Sequence, residues 1–404
     1  MALRILLIHQ NFPGQFRHVA KAWAQRSGWD VVGMGRRTAP GLPGVRWLAY
    51  DLHREPLKEQ HHYLRSMENA VLHGQAVARA LLKLKAQGWQ PDVILAHPGW
   101  GETLYVRDVF PQARLIHLCE WYYGTPDADV GFDPAFPVDL DAQARQRTWN
   151  ALHLLNLEQC DLGISPTAWQ RSRHPARYQD KIRVLHEGVD TDLLQADPHA
   201  TLTVSGDLTL RAGDPVITFV ARNLEPYRGF LTFMRALSEV QRAHPACHAV
   251  IVGGDDVSYG QKPSDARNWR EKMLGELNVD LARTHFMGRL PYDTYRRVLQ
   301  VSAAHVYLTY PFVLSWSMLE AMSTGCLVVG SRTAPVEEVI RDGENGVLVD
   351  FFDTPAMVSR LIEVLGNGAA WQAVRAQARA DVVKRYSLPA GCAAYTALVE
   401  EVAS

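Results

Sequence analysis

Val216-Ile217-Thr218-Phe219-Val220-Ala221-Arg222-Asn223-Leu224-Glu225-Pro226-Tyr227-Arg228-Gly229-Phe230 is the stretch that decides the fold. It opens on a continuous apolar run, Val216–Ala221, rather than an alternating one. Strands covered on both faces of a parallel sheet require that pattern. Two guanidinium groups, Arg222 and Arg228, follow at the junction, and a helix-length segment, Leu231–His244, comes next. Forked donors at a strand-to-helix junction suit a diphosphate. Downstream the pattern continues. Strands are expected at Ala249–Val252, Thr284–Met287, Val306–Thr309, Leu327–Val329 and Gly346–Val349. Helices are expected at Trp269–Leu277, Tyr292–Ser302, Ser317–Ser323 and Pro355–Gly366.

Upstream the chain reads the same way. Apolar runs at Leu3–His9, Asp30–Met34, Asp92–His97, Arg114–Leu118, Leu162–Ser165 and Ile182–His186 alternate with helical segments such as Gln15–Arg26, Tyr63–Gln87 and Leu140–Gln159. Such alternation predicts βαβ units and a doubly wound sheet. Between the halves, Gln195–Pro215 carries turn signals at Asp197-Pro198, Gly206-Asp207 and Gly213-Asp214-Pro215, and reads as a boundary. The expected architecture is α/β, with two Rossmann-like domains facing a central cleft. Residues 1–200 form the first domain, 201–385 the second, and 386–404 a final helix packing back on the first. Ligands of open α/β sheets bind outside the carboxyl ends of the strands.

Composition sets limits. With 47% hydrophobic and 21% charged residues, the 404-residue chain is not disordered. A net charge of −1, from 42 basic and 43 acidic residues, provides no field for bulk nucleic-acid binding. Five scattered cysteines without a CxxC pair argue against zinc and disulfide scaffolds, and fit a reducing, cytoplasmic setting. The apolar run after Arg4 is too short for a signal peptide. The charge-free stretch between Arg297 and Glu320 is interrupted by Gln300, Ser302, His305, Thr309 and Ser315, so it reads as strand, loop and helix rather than a membrane span.

Other strand ends carry candidate chemistry. Leu314-Ser315-Trp316-Ser317-Met318-Leu319-Glu320 would aim free helix-start amides at a phosphate, with Glu320 one turn in to accept from ribose hydroxyls. Gly14, in the turn after the first strand, lets backbone amides approach an anion. His97-Pro98-Gly99-Trp100-Gly101-Glu102 reads as a sugar-contacting loop, in which the ring stacks and Glu102 accepts hydroxyls; the other reading is a packed turn with Glu102 capping a helix at Thr103–Phe110. Tyr122 and Tyr123, with the segment Asp129–Pro134, belong to the same acceptor-side chemistry. Asp255-Asp256 is read as a solvated pair, not a metal site. Trp169, Arg171, Arg173, Arg177, Lys181 and Arg183 form a basic, aromatic-bearing cluster; it would face solvent, an anionic membrane surface or a phosphorylated acceptor.

At these residues the sequence resembles the retaining glycosyltransferases of family 4 (glycosyl transferases group 1), which have the GT-B fold. The resemblance is strongest from Ile182 to Asp350. His186-Glu187-Gly188-Val189-Asp190, Arg222 and Arg228, Gly253-Gly254, Gly288-Arg289-Leu290, Glu320 with Gly325, and Asn345-Gly346 carry it. It implies that Arg222 and Arg228 hold a donor diphosphate, that Arg289 and Leu290 read the nucleobase through their backbone, and that Glu320 binds the ribose. It also implies front-face attack with retention, no cofactor and no obligate metal. The implied partners are a nucleotide-diphosphate sugar and a glycan, lipid-linked or small-molecule acceptor, as in polysaccharide biosynthesis. The sequence departs from the family in two places. Phe312 stands eight residues before Glu320, where the family has a glutamate that contacts the donor sugar. Near Ile116-His117-Leu118-Cys119-Glu120 the family has a catalytic histidine; His117 reads as a core residue, and Glu120, at the strand end, is the favoured polar group beneath the sugar. The alternatives are a nucleotide-sugar epimerase, a phosphorylase, or a silent nucleotide- or glycan-binding partner of another transferase.

Overall fold

A computed structural model describes residues 2–124, 128–206 and 208–404. The chain divides into two compact units, Met1–Gly188 with Leu388–Ser404, and Val189–Ser387.

The first unit is built on a seven-stranded sheet. Its strands are β1 (Leu3–Ile8), β2 (Trp29–Arg36), β3 (Arg46–Tyr50), β4 (Val93–Ala96), β5 (Arg114–Leu118), β6 (Leu162–Ser165) and β7 (Ile182–Val184), in the order β3-β2-β1-β4-β5-β6-β7. Every pairing in it is parallel. Ile5, Leu6, Leu7 and Ile8 of central β1 are fully buried because both faces of the sheet are covered. At the edge, β3 is only partly buried; its apolar run is short, and the sequence gives no strand there.

The last helix, Leu388–Ala403, belongs to this unit. Tyr395, Leu398 and Val399 join Ile5, Leu7 and Trp23 in one apolar cluster. Trp23 Nε1 donates to Thr396 Oγ1 (2.8 Å), and Arg183 holds Glu401 with two bonds of 2.6 and 2.5 Å. Gly391 allows the approach, since a Cβ there would stand 2.4 Å from the Glu187 carbonyl oxygen.

The second unit carries a six-stranded parallel sheet. Its strands are β10 (Val216–Asn223), β11 (His248–Gly254), β12 (Thr284–Gly288), β13 (Ala304–Tyr307), β14 (Val328–Ser331) and β15 (Val347–Val349), in the order β12-β11-β10-β13-β14-β15. Gln195–Pro215, which the turn signals mark as the boundary, lies inside this unit, which begins at Val189. It folds as an antiparallel hairpin, β8 (Thr201–Ser205) and β9 (Leu208–Arg211). Leu202 and Leu210 on it pack with Val216, Val250 and Val298 of this unit. The turn expected at Gly206-Asp207 falls partly outside the described residues, at Asp207. No helix among the described residues is long and apolar enough to cross a membrane.

Five imidazoles of the first unit are held neutral by burial. It pushes His9, His117 and His153 down to about 3, and His73 and His174 to about 4. Each ring takes up a proton below 6.5 when unfolded, but in the fold only near 3 or 4. Stability is therefore lost as pH falls through that window, by up to ~1.4 kcal/mol per pH unit for each ring. Glu102, raised by burial, acts in the opposite sense. We predict that the melting transition of this unit falls by several degrees between pH 7 and pH 5. An unchanged midpoint in circular-dichroism melts at the two pH values would contradict the buried neutral histidines.

Candidate functional site

In the second unit, the chain leaves β10 at Asn223, makes a tight turn over Pro226–Arg228, and enters the helix Phe230–Ala243. Gly229 makes this route available: its φ is +71°, and a Cβ there would stand 2.3 Å from Leu308 Cβ. Arg228 Nη1 donates to Thr309 Oγ1 (2.9 Å), the Val313 carbonyl (3.0 Å) and Tyr307 OH (3.4 Å). Tyr307 OH also accepts from the Ser315 N–H at 2.8 Å. Ser315 caps the helix Trp316–Thr324. Arg222, Arg228, Glu225, Tyr259, Tyr307 and Ser315 line one pocket at the ends of β10 and β13. Arg222 is exposed there and Arg228 half-buried. The pocket is an anion-binding arrangement, two forked cations beside a helix start.

The other expected donor residues surround this pocket or pack beneath it. Gly254 ends β11 against Arg289: a Cβ there would lie 2.6 Å from Asn223 Oδ1 and 3.0 Å from Arg289 Nε. Arg289 Nη2 donates to Asn223 Oδ1 (3.2 Å). Gly253 packs its backbone on the Ala221 carbonyl, 2.8 Å from where its Cβ would be. Leu290 and Leu314 turn their side chains into the apolar core, and Ser317 is buried, whereas Trp316 is exposed. Glu320 does not line the pocket. Its oxygens accept from Tyr292 OH (2.9 Å) and Tyr295 OH (2.6 Å). Burial pushes its carboxyl above the usual range, against the pull of those two phenols. Phe312 is buried, with its ring 5.8 Å from the Arg228 guanidinium and 4.8 Å from the Tyr259 ring. Asp255 and Asp256 turn to separate cations, Arg270 (2.6 Å) and Lys262 (3.4 Å).

In the first unit, a polar cluster sits at the carboxyl ends of β1, β4 and β5. His9 Nδ1 accepts from the Asn11 N–H (3.0 Å) and His97 Nδ1 from the Gly99 N–H (3.1 Å). Nδ1 therefore acts as the acceptor in both rings, and Nε2 is the ring N–H that donates. His9 Nε2 donates to Gln15 Oε1 (2.7 Å), Gln15 Nε2 to Glu120 Oε1 (2.9 Å), and His97 Nε2 to Glu120 Oε2 (3.1 Å). Burial alone would raise Glu120, but the donors His97 and Gln15 outweigh it and hold the carboxyl below its usual range. Its side chain remains 31% exposed. Trp100 stacks on His97 with ring centroids 4.3 Å apart. Gly14 belongs to this cluster, since a Cβ there would meet the His9 ring at 2.4 Å.

Glu102 does not fit the sugar-contacting reading. It is fully buried and accepts from Tyr50 OH at 2.7 Å, and Tyr50 OH is also bonded to His73 Nδ1 (2.8 Å). A carboxyl sealed from water meets no sugar hydroxyl. Nor does it cap a helix, because the helix here shortens to Val106–Val109 and has no side-chain cap. His117 is fully buried within β5. Tyr122 and Tyr123 turn toward other partners: Tyr122 lies near His153 and His174, and the Tyr123 backbone pairs with Asn150. The basic cluster is held locally. Arg171 Nε donates to the Gln179 carbonyl, Lys181 to the Cys160 carbonyl, and Arg173 lies over the Trp169 ring. Sequence reasoning missed His9, Gln15, Glu225 and Tyr259 as site residues. His9 and Gln15 stand on either side of Gly14 at the turn after the first strand, which was the signal available.

The chain matches the family described as glycosyl transferase family 4 group over residues 27–194, and that described as glycosyl transferases group 1 over residues 214–367. D-inositol 3-phosphate glycosyltransferase of Acidothermus cellulolyticus is 28% identical over 203 residues, 48% of this chain and 43% of that protein. Alpha-maltose-1-phosphate synthase of Mycolicibacterium smegmatis is 25% identical over 278 residues, 63% of this chain and 69% of that one. The chain thus spans less than half the length of the first of these relatives. Sucrose-phosphate synthase from Thermosynechococcus elongatus superposes with a TM-score of 0.75 at 17% identity, covering 100% of this chain and 99% of the other. HepE from Anabaena, in complex with UDP and glucose, gives 0.70 at 14% identity, covering 99% and 100%. The two matched segments take in most of the sequence, and the chain belongs to the family 4, group 1 glycosyltransferases, enzymes of the GT-B fold.

Proposed function

We propose that this glycosyltransferase moves a sugar from a nucleotide-diphosphate donor to a glycan, lipid-linked or small-molecule acceptor, with retention at the anomeric carbon. The observation that carries the reading is the pocket shared by Arg222, Arg228 and Ser315. Negative charge grows on the diphosphate as the glycosidic bond breaks. Fixed cations and helix-start amides stabilise that charge more than they stabilise the ground state. Two guanidinium groups supply the countercharge that a metal supplies elsewhere, so the reading has no obligate metal. Glu320 takes the donor ribose: a carboxylate has about four lone-pair sites, so room remains beside its two tyrosine donors. Glu120, fixed by His97 and Gln15, is the polar group for the transferred sugar. HepE was crystallised with UDP and glucose, which supports a donor of that kind. The placement is cytoplasmic, with peripheral contact to a membrane where the acceptor is lipid-linked.

Titration calorimetry with UDP, GDP and ADP tests this directly. One nucleotide binds, equally with magnesium or with EDTA. Arg222→Ala and Arg228→Ala each weaken it about 10- to 100-fold, the loss of one charged hydrogen-bond set of ~1.5–3 kcal/mol. Binding of no nucleotide, or binding unmoved by both variants, would overturn the donor site. Glu120→Gln separates the two units: nucleotide affinity stays within twofold, while the transfer rate drops at least about 100-fold, the range of a lost positioned polar group. Equal transfer by Glu120→Gln would remove that residue from the chemistry.

Phe312 favours a second reading, a silent nucleotide-binding partner of another transferase. It predicts nucleotide binding without donor breakdown under any acceptor. Donor turnover that depends on Glu320 would exclude it.

A further inference from the structure

Glu225 is fully buried, and no cation forms an ion pair with its carboxyl among the described residues. Four hydrogen bonds reach it from three consecutive backbone amides. Ser258 N–H lies 3.0 and 3.1 Å from its two oxygens, and Tyr259 N–H and Gly260 N–H each lie 3.1 Å from Oε2. These amides belong to the connection between β11 and the helix Trp269–Glu276. Asn223 Nδ2 adds a bond to Ser258 Oγ at 2.8 Å. Glu225 lies three residues before Arg228 and accepts the Arg228 N–H on its own carbonyl (3.3 Å). One residue therefore ties the turn that carries the guanidinium to the loop that carries Tyr259.

Tyr259 completes the geometry. The Arg228 guanidinium lies 5.6 Å from its ring centroid and 5.8 Å from that of Phe312. The two rings meet edge to face at 4.8 Å. Nη1 is fixed by its three oxygen acceptors, and the rings cover the planar group beside it. An arginine so confined loses little freedom when it takes a phosphate. Tyr259 is itself 40% exposed, and the backbone of its loop is held from the core side by Glu225.

We propose that Glu225 is a positioning residue for the donor site: it clamps the loop at 258–260 so that Tyr259 holds Arg228 ready for the diphosphate. The inference rests on the donor reading above and concerns which residues preorganise it. Glu225 touches no substrate; it acts through Tyr259 and Arg228.

The test is a split of steady-state constants in the full chain. Tyr259→Leu removes the ring from an exposed site and leaves the core intact. Its donor KM rises about tenfold, the scale of one partly desolvated cation–π contact. The acceptor KM stays within twofold. Tyr259→Phe keeps the ring, and its donor KM lies closer to the parent than that of Tyr259→Leu. Glu225→Gln moves the donor KM in the same direction as Tyr259→Leu, and the double variant adds little to either single one. A donor KM within twofold of the parent in Tyr259→Leu overturns the proposal. If Glu225→Gln does not fold, the Tyr259 pair still decides. Failure of the parent itself to bind any nucleoside diphosphate would instead sink the donor reading.

Discussion

Arg228 Nη1 donates to three oxygens, all between Tyr307 and Val313, and this set of bonds organises the second unit's site. β10, which leads into its turn, and β13, which leads into the segment with those oxygens, are neighbours in the sheet but far apart in sequence. A parallel sheet joins such strands by side-to-side backbone bonds that stop where the strands stop. Beyond that point only side chains can hold the connecting turns together. Arg228 does so with a charged donor, and charged hydrogen bonds are roughly twice as strong as neutral ones. Nε and Nη2 make no hydrogen bond among the described residues, so the face that could meet an anion stays open.

Periodicity made the strands legible because central parallel strands are apolar throughout. Val216–Ala221 and Arg114–Leu118 stand out in the sequence for that reason. At the edge the signal weakens, and β3 at Arg46–Tyr50 escapes it. Turn residues mislead where a hairpin is short: Gly206 and Gly213 flank real strands, β8 and β9, inside the second unit rather than at its boundary. In the site, Arg222, Arg228 and Ser315 were legible because they lie next to strand ends. Glu225 was not, although it sits between the two arginines. Its partners lie more than thirty residues onward, in a loop with no periodic pattern to place it.

Two carboxyls of the first unit show how environment assigns roles that sequence leaves equal. Glu102 and Glu120 both follow strand ends. Glu102 is sealed, receives the tyrosine hydroxyl on one oxygen, and is pushed up by burial. Glu120 receives one donor on each oxygen, stays partly open, and is held down. Pairs of carboxyls whose surroundings push them in opposite directions separate a charged working group from a neutral structural one. The sequence reading placed both at a sugar. Only the one that keeps its charge and some exposure has the chemistry for it.

The aromatic residue at Phe312 bears on the sugar more than on the nucleotide. A phenyl ring accepts no hydroxyl hydrogen bond of carboxylate strength, so one acceptor is gone from the place where the resemblance implies a sugar contact. The cation beside it is not disturbed. Arg228 keeps its three oxygen acceptors, and the ring lies 5.8 Å from its guanidinium, where it excludes water without neutralising the charge. Reduced water access lowers the local dielectric and strengthens attraction for an anion. The substitution therefore separates two properties of the site. It removes an acceptor at the place where the resemblance implies a sugar contact, and it leaves intact the hydrogen bonds that hold Arg228.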